Sequence, residues 1–76
     1  MAVTNDMKRR ERFLSVAEKR TNRILEDLRL LGNCSNKSNY SYTPEEVEKM
    51  FRSIEEEVDH VKMLFRLNEG KKEFKW

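Results

Sequence analysis

The sequence is poor in the residues that small proteins use as covalent or metal staples. Its 76 residues include one cysteine, Cys34, and one histidine, His60. A single cysteine cannot form an intramolecular disulfide, and one cysteine with one histidine cannot complete a structural zinc site. Glu56 precedes His60 by four residues, a spacing that arises by chance in any acidic helix. We therefore assign no catalytic, cofactor-binding or metal residue, and predict a protein that is not an enzyme and needs no cofactor.

A long apolar run is also missing. No stretch approaches the roughly 18 apolar residues of a membrane-spanning helix. The basic residues near the start are not followed by the apolar segment of a signal peptide. A lone thiol fits a reducing compartment. We expect no transmembrane segment and a cytoplasmic location.

Glycine and proline are scarce, with two glycines and one proline, and apolar residues instead recur at steps of three and four. Such steps form a heptad seam, the stripe along which two helices pair. The term seam denotes six such positions in each half of the chain. In the first half they are Leu14, Ala17, Thr21, Ile24, Leu28 and Leu31, and in the second half they are Val47, Phe51, Ile54, Val58, Val61 and Phe65.

These patterns predict helix 1 over about 5–31, a loop over 32–42, helix 2 over about 44–69 and a basic-aromatic tail over 70–76. Gly32 is expected to end helix 1 in the left-handed conformation. Helix 2 is expected to start with a capping box between Thr43 and Glu46. Tyr42 and Val47 are placed to form a hydrophobic staple at the same end.

The predicted architecture is all-α, a single domain over 1–76 in which two long antiparallel helices form a hairpin. The apolar arcs span roughly 120° to 140°, wider than a two-stranded seam needs. Pairing of two hairpins into a dimeric four-helix bundle would cover the excess. A groove for a foreign helix is the alternative.

Charge is distributed unevenly. Residues 1–31 carry eight basic and five acidic side chains, whereas residues 43–69 carry four basic and eight acidic ones. An antiparallel hairpin would also gather basic residues of both chain ends at one pole. The candidates for contact with phosphate or an acidic partner there are Lys8, Arg9, Arg10, Arg12, Lys71, Lys72, Lys75 and Trp76.

This basic pole has several interpretations. Basic residues interleaved with aromatics suit nucleic acid. They suit anionic lipid or an acidic protein equally well. The plain alternative is that they keep the ends of long helices in solution.

The loop, "GNCSNKSNYSY", is rich in Asn, Ser and Tyr, the composition of adaptable binding surfaces. Capping and stapling account for Tyr42 and Thr43 but leave Tyr40 without a folding task. Asn36, Asn39 and Tyr40 are therefore the candidate partner-binding residues. The alternative is that the loop only connects the helices.

Residues 20–58, with Leu-Gly-Asn at 31–33 followed by Asn-Tyr, Tyr-Thr and an acidic helix start, resemble a group of small uncharacterised helical-hairpin proteins from Gram-positive bacteria and their mobile elements. The group has no assigned activity, so the resemblance implies no site residue. It implies a bacterial origin, with a plasmid, phage or transposon as the source.

Two functions follow as expectations. The first is a protein-interaction module, an adaptor, regulator or inhibitor that occupies the surface of another protein and itself forms a homodimer. The second is a nucleic-acid-binding accessory protein that uses the basic pole.

Overall fold

The structure is a computed structural model that describes residues 5–69. Two helices account for most of them, α1 (Asn5–Asn33) and α2 (Pro44–Glu69), and these residues contain no strand. The predicted all-α class is confirmed. The chain divides between Tyr40 and Ser41 into two units, each built on one helix. Antiparallel pairing of the helices and their union in one domain stay predictions.

Helix α1 forms because nothing in residues 5–31 interrupts it. This stretch has neither glycine nor proline and is rich in Leu, Arg, Glu and Lys, whose side chains lose little rotamer freedom in a helix. Asp6 lies in the first turn, where a carboxylate interacts favourably with the helix dipole. The helix continues two residues beyond the expected end at Leu31 and stops at Asn33.

The expectation that Gly32 ends α1 in a left-handed conformation is wrong. Gly32 lies inside the helix, and no residue in the described part of the chain has a positive φ. The end of the helix is instead a tightened turn. The N–H groups of Cys34, Ser35 and Asn36 donate to the carbonyl groups three residues earlier, at 2.9, 3.1 and 3.3 Å. These bonds satisfy carbonyl oxygens that a left-handed cap would otherwise have to satisfy.

The start of α2 is the capping box that the sequence predicts. The Glu46 N–H donates to Thr43 Oγ1 at 3.1 Å, and the Thr43 N–H donates to Glu46 Oε1 at 2.8 Å. Both bonds satisfy backbone donors that have no partner within the helix, and loss of such a cap costs about 1 kcal/mol. Tyr42 and Val47 are both half-buried, as the predicted staple requires.

Both helices are largely exposed to solvent. None of the residues in 5–69 is buried. The half-buried positions are Ala17, Leu31, Tyr42, Val47 and Ile54, and four of these five belong to the seam. Neither helix of this part of the chain combines the length and apolarity needed to cross a membrane.

Gly32 supplies the first testable prediction. A Cβ built at this position meets no atom within 4 Å, and the backbone is helical. Gly32→Ala should therefore raise the free energy of unfolding by about 0.5–1 kcal/mol, since alanine has less backbone entropy to lose. Thermal unfolding followed by circular dichroism measures the change. A decrease in stability would show that Gly32 needs a conformation that alanine resists.

Candidate functional site

Asn36 organises the turn that follows α1. Its carbonyl oxygen accepts the N–H groups of Asn39 and Tyr40, at 3.1 and 3.0 Å. Its side-chain Oδ1 accepts the Ser38 N–H at 2.9 Å, which closes an Asx turn. Its own N–H donates to the Asn33 carbonyl at 3.3 Å. One residue thus accounts for four hydrogen bonds in a stretch that has no regular helix or strand.

The three loop residues predicted from the sequence come together in this turn. Asn36, Asn39 and Tyr40 are joined through the Asn36 carbonyl group, and all three are exposed. Their surroundings differ, however. The Oδ1 of Asn36 is engaged by the backbone, whereas Tyr40 is tied through its N–H and leaves 52% of its surface exposed. Asn36 therefore shapes the turn, and Tyr40 is the group that the turn presents.

The sequence pattern did not separate these roles. Asn36 was predicted to be a contact residue because Asn is common in binding loops. Asn also commonly closes an Asx turn by accepting the N–H two residues later, and Asn33, Asn36 and Asn39 are each followed by a serine at that spacing. Only the folded structure shows that the turn forms at Asn36.

The seam positions form an exposed apolar stripe on each helix of the described residues. Large side chains at its positions keep about half of their surface exposed, for example 58% at Ile24 and 57% at Phe65. Hydrophobic neighbours widen it on both helices. The exposed hydrophobic neighbours of the seam include Phe13, Leu25, Met50 and Leu64. Apolar stripes of this length on a protein surface usually mark a site of association.

The predicted basic pole is described only in part. Lys8, Arg9, Arg10 and Arg12 lie in the first turns of α1 and are exposed. At about 100° per residue, Arg10 lies about 160° around the helix from Lys8 and Arg12. Arg10 falls in line with the seam, one turn before Leu14. The remaining members of the pole, Lys71, Lys72, Lys75 and Trp76, lie outside the described residues.

Three basic residues farther along α1 were not singled out from the sequence. Lys19, Arg20 and Arg23, together with Val16, line an open depression on this helix. Helical spacing places them on the same side of α1 as Lys8, Arg9 and Arg12. The net charge of each segment does not show this grouping, but the positions of the residues on a helical wheel do.

Groups suited to catalysis or metal binding are sparse in the described residues. No cluster of three or more His, Cys, Asp or Glu side chains within 5–69 is arranged to hold a metal ion. Cys34 is a free, exposed thiol, and His60 is exposed on α2. The surface features with a clear physical character are the seam, the turn at Asn36 and the cations of α1.

Comparison of the chain with protein-family models, with curated proteins and with solved structures finds no match. The resemblance of residues 20–58 to the mobile-element proteins stays a prediction.

The role of Asn36 is open to test by hydrogen exchange. Asn36→Ala removes the acceptor of the Ser38 N–H, so the Ser38 amide should exchange roughly fivefold faster, the equivalent of about 1 kcal/mol for one hydrogen bond. Asn36→Asp keeps an oxygen at the same place and should preserve most of the protection. Exchange measured by NMR on the three proteins decides between them.

Asn39→Ala is the matched control for this test. It makes the same change of side chain but keeps the Asn39 N–H that donates to Asn36. Equal exchange at Ser38 in the Asn36→Ala and Asn39→Ala proteins would contradict the role assigned to Asn36.

Proposed function

We propose that this protein is a non-enzymatic protein-interaction module, an adaptor, regulator or inhibitor that acts by occupying the surface of another protein. We propose further that it works as a homodimer, in which two antiparallel hairpins form a four-helix bundle. The observation that carries this proposal is the exposed seam on both helices.

The seam supports association because of its length and its exposure. Helices in water owe most of their stability to the packing of an apolar face rather than to intrinsic propensity. Fully burying one Leu, Ile, Val or Phe side chain contributes about 1.5–3 kcal/mol. With none of residues 5–69 buried, this large stabilisation is available only when the seams are covered.

Pairing of α1 with α2 through their seams would match the apolar layers of the two helices and bring opposite net charges together. In the antiparallel direction, Leu31 would face Val47 and Leu14 would face Phe65, so six layers on one helix meet six on the other. Helix α1 holds eight basic and five acidic side chains, and α2 holds four basic and eight acidic. The opposite net charges favour this pairing over the pairing of like helices.

A second copy of the chain is the occupant that best covers the rest of each apolar arc. Each arc is wider than one partner helix can cover. The side chains that widen the seam, Phe13 and Leu25 on α1 with Met50 and Leu64 on α2, are all exposed. A two-fold dimer would cover the same excess on both copies with one self-complementary surface.

The turn at Asn36 is the proposed contact with the other protein. Its backbone is held by the hydrogen bonds to Asn36, so little conformational entropy would be lost on binding. Tyr40 supplies a large, partly apolar side chain with few rotatable bonds, the kind of residue that commonly anchors interfaces. Asn36 and Asn39 offer polar groups beside it.

The dimer is tested through Ile54, a half-buried seam residue. Ile54→Asp places a carboxylate in the proposed apolar interface, where an unpaired charge costs several kcal/mol. Light scattering coupled to chromatography should show a dimer for the parent protein and a monomer with reduced helicity for the variant. The unfolding temperature of the parent should also rise with protein concentration, because association is linked to folding.

Met63→Asp is the matched control, since it also replaces an apolar side chain with a carboxylate, but about 160° away from the middle of the seam at an exposed position. It should leave the dimer intact. A cooperatively folded monomer of 9.2 kDa at high micromolar concentration would remove the four-helix bundle.

The contact surface is tested through Tyr40. Tyr40→Ala should change the free energy of unfolding by no more than about 0.5 kcal/mol, as exposed substitutions usually do. It should strongly reduce capture of the partner from a lysate of the source organism, quantified by mass spectrometry, whereas Tyr40→Phe and Ser41→Ala should retain it. If Tyr40→Ala instead unfolds the protein and capture per folded molecule is unchanged, Tyr40 is structural and the partner binds elsewhere.

A further inference from the structure

We infer that α1 carries a second binding surface, distinct from the seam and the turn, that takes the phosphate backbone of duplex nucleic acid. We call it the basic face and define it by six exposed cations, Lys8, Arg9, Arg12, Lys19, Arg20 and Arg23. The inference does not depend on the proposed protein-interaction function.

The helix itself brings these six residues together. At about 100° per residue they occupy an arc of about 120°. At a rise of about 1.5 Å per residue they extend over about 22 Å of the helix axis. The middle of this arc lies about 130° around the helix from the middle of the seam. Part of the surface is concave, where Lys19, Arg20 and Arg23 surround Val16.

Between residues 5 and 25 this arc contains no carboxylate. Between residues 5 and 25 the acidic residues of α1 are Asp6, Glu11 and Glu18, and helical spacing puts all three outside the arc. Glu26 and Asp27 lie at the same angles around the helix as the arc, but they follow Arg23 in the sequence, so the basic face ends before them. Arg29 pairs with Glu26 and Arg52 pairs with Glu48. None of the six cations takes part in either of these pairs.

The composition of the basic face favours a phosphate ligand. Four of the six residues are arginines, whose planar guanidinium groups bind phosphate oxygens in a bidentate manner. A duplex presents one phosphate about every 1.7 Å of its axis, so a length equal to the face holds about twice as many phosphates as cations. The phosphates along such a length of duplex therefore outnumber the cations of the basic face.

Duplex nucleic acid fits better than a single strand or a membrane. Single-strand binding relies on aromatic side chains that stack on bases, and the basic face contains none. Membrane-bound amphipathic helices insert the apolar face and keep the polar face toward water. Insertion of the seam would turn Arg12, Lys19 and Arg23 away from the lipid headgroups, because these three lie about 150° from it.

An acidic protein surface is the main alternative ligand of the basic face, and helix α2 of a second copy would provide such a surface. Its carboxylates also gather on the side away from the seam, at Glu45, Glu48, Glu55, Glu56 and Asp59. This surface is interrupted by Arg52 and Arg66, and Arg52 already pairs with Glu48 at 3.6 Å. Its reduced charge density makes it a weaker ligand than a duplex.

The test is fluorescence anisotropy with the full chain and a labelled DNA duplex longer than the basic face, titrated between about 50 and 200 mM salt. Six phosphate contacts predict a slope of log Kobs against log salt of about −5. The variant Arg12→Gln, Lys19→Gln, Arg23→Gln removes three cations without lowering helix propensity much. Its slope should fall to about −3, and its affinity at about 50 mM salt should drop at least tenfold.

The control variant is Arg52→Gln, Lys62→Gln, Arg66→Gln, which makes the same change of net charge on α2. It should keep the parent slope and an affinity within about threefold. Duplex RNA in a second arm reports which duplex is preferred, and measurable binding of either supports the inference. Absence of binding to both duplexes at about 50 mM salt, or equal losses in the two triple variants, would overturn it.

Two further arms address the competing ligands. Vesicles containing phosphatidylserine should bind less tightly than the duplex, and tighter binding to them would assign the basic face to lipid instead. Light scattering without nucleic acid should give the same mass for the parent and both variants. If the α1 variant alone loses a salt-sensitive larger assembly and no duplex binds, the basic face contacts the acidic side of another copy.

Discussion

The exposed apolar stripe along each helix is the physical constraint behind the proposed association. Each helix presents a stripe of Leu, Ile, Val and Phe at heptad spacing, and the larger of these side chains remain about half exposed. A helix of 26 or 29 residues owes most of its stability to packing along such a stripe. In the proposed assembly, covering of the seam would supply this packing.

The arrangement of the charges is compatible with the proposed association. A surface that must be covered cannot also carry many ions, because desolvating an unpaired charge costs several kcal/mol. On α1 the cations lie mostly on the side away from the seam, and on α2 the carboxylates do so as well. The seam is therefore free to pair while both charged sides stay in contact with solvent or with ligands. Arg10 is an exception at the beginning of the seam of α1, where the arginine stem can pack and its head can reach water.

The connection between the helices is built by local hydrogen bonds rather than by packing. Asn36 holds the turn after α1, and the reciprocal bonds between Thr43 and Glu46 start α2. All of these bonds join residues no more than four apart in sequence. The turn is consequently defined before any association occurs. Tyr40, the proposed contact residue, lies in a turn whose hydrogen bonds do not require the seam to be covered.

The parts of this protein that the sequence determined by itself are those governed by neighbours a few residues apart. Apolar steps of three and four predicted both helices, and the residues from Tyr42 to Val47 predicted the capping box at the start of α2, because periodicity and capping act within one or two turns. The composition of the chain does not reveal which hydrogen bonds end α1. Gly32 is able to adopt a left-handed conformation, but the hydrogen bonds of Cys34, Ser35 and Asn36 to preceding carbonyls satisfy the helix end without it. The same holds for the side-chain Oδ1 of Asn36, which could accept a hydrogen bond from a partner or from the backbone, and only the folded turn, with the Ser38 N 2.9 Å away, assigns this oxygen to the backbone.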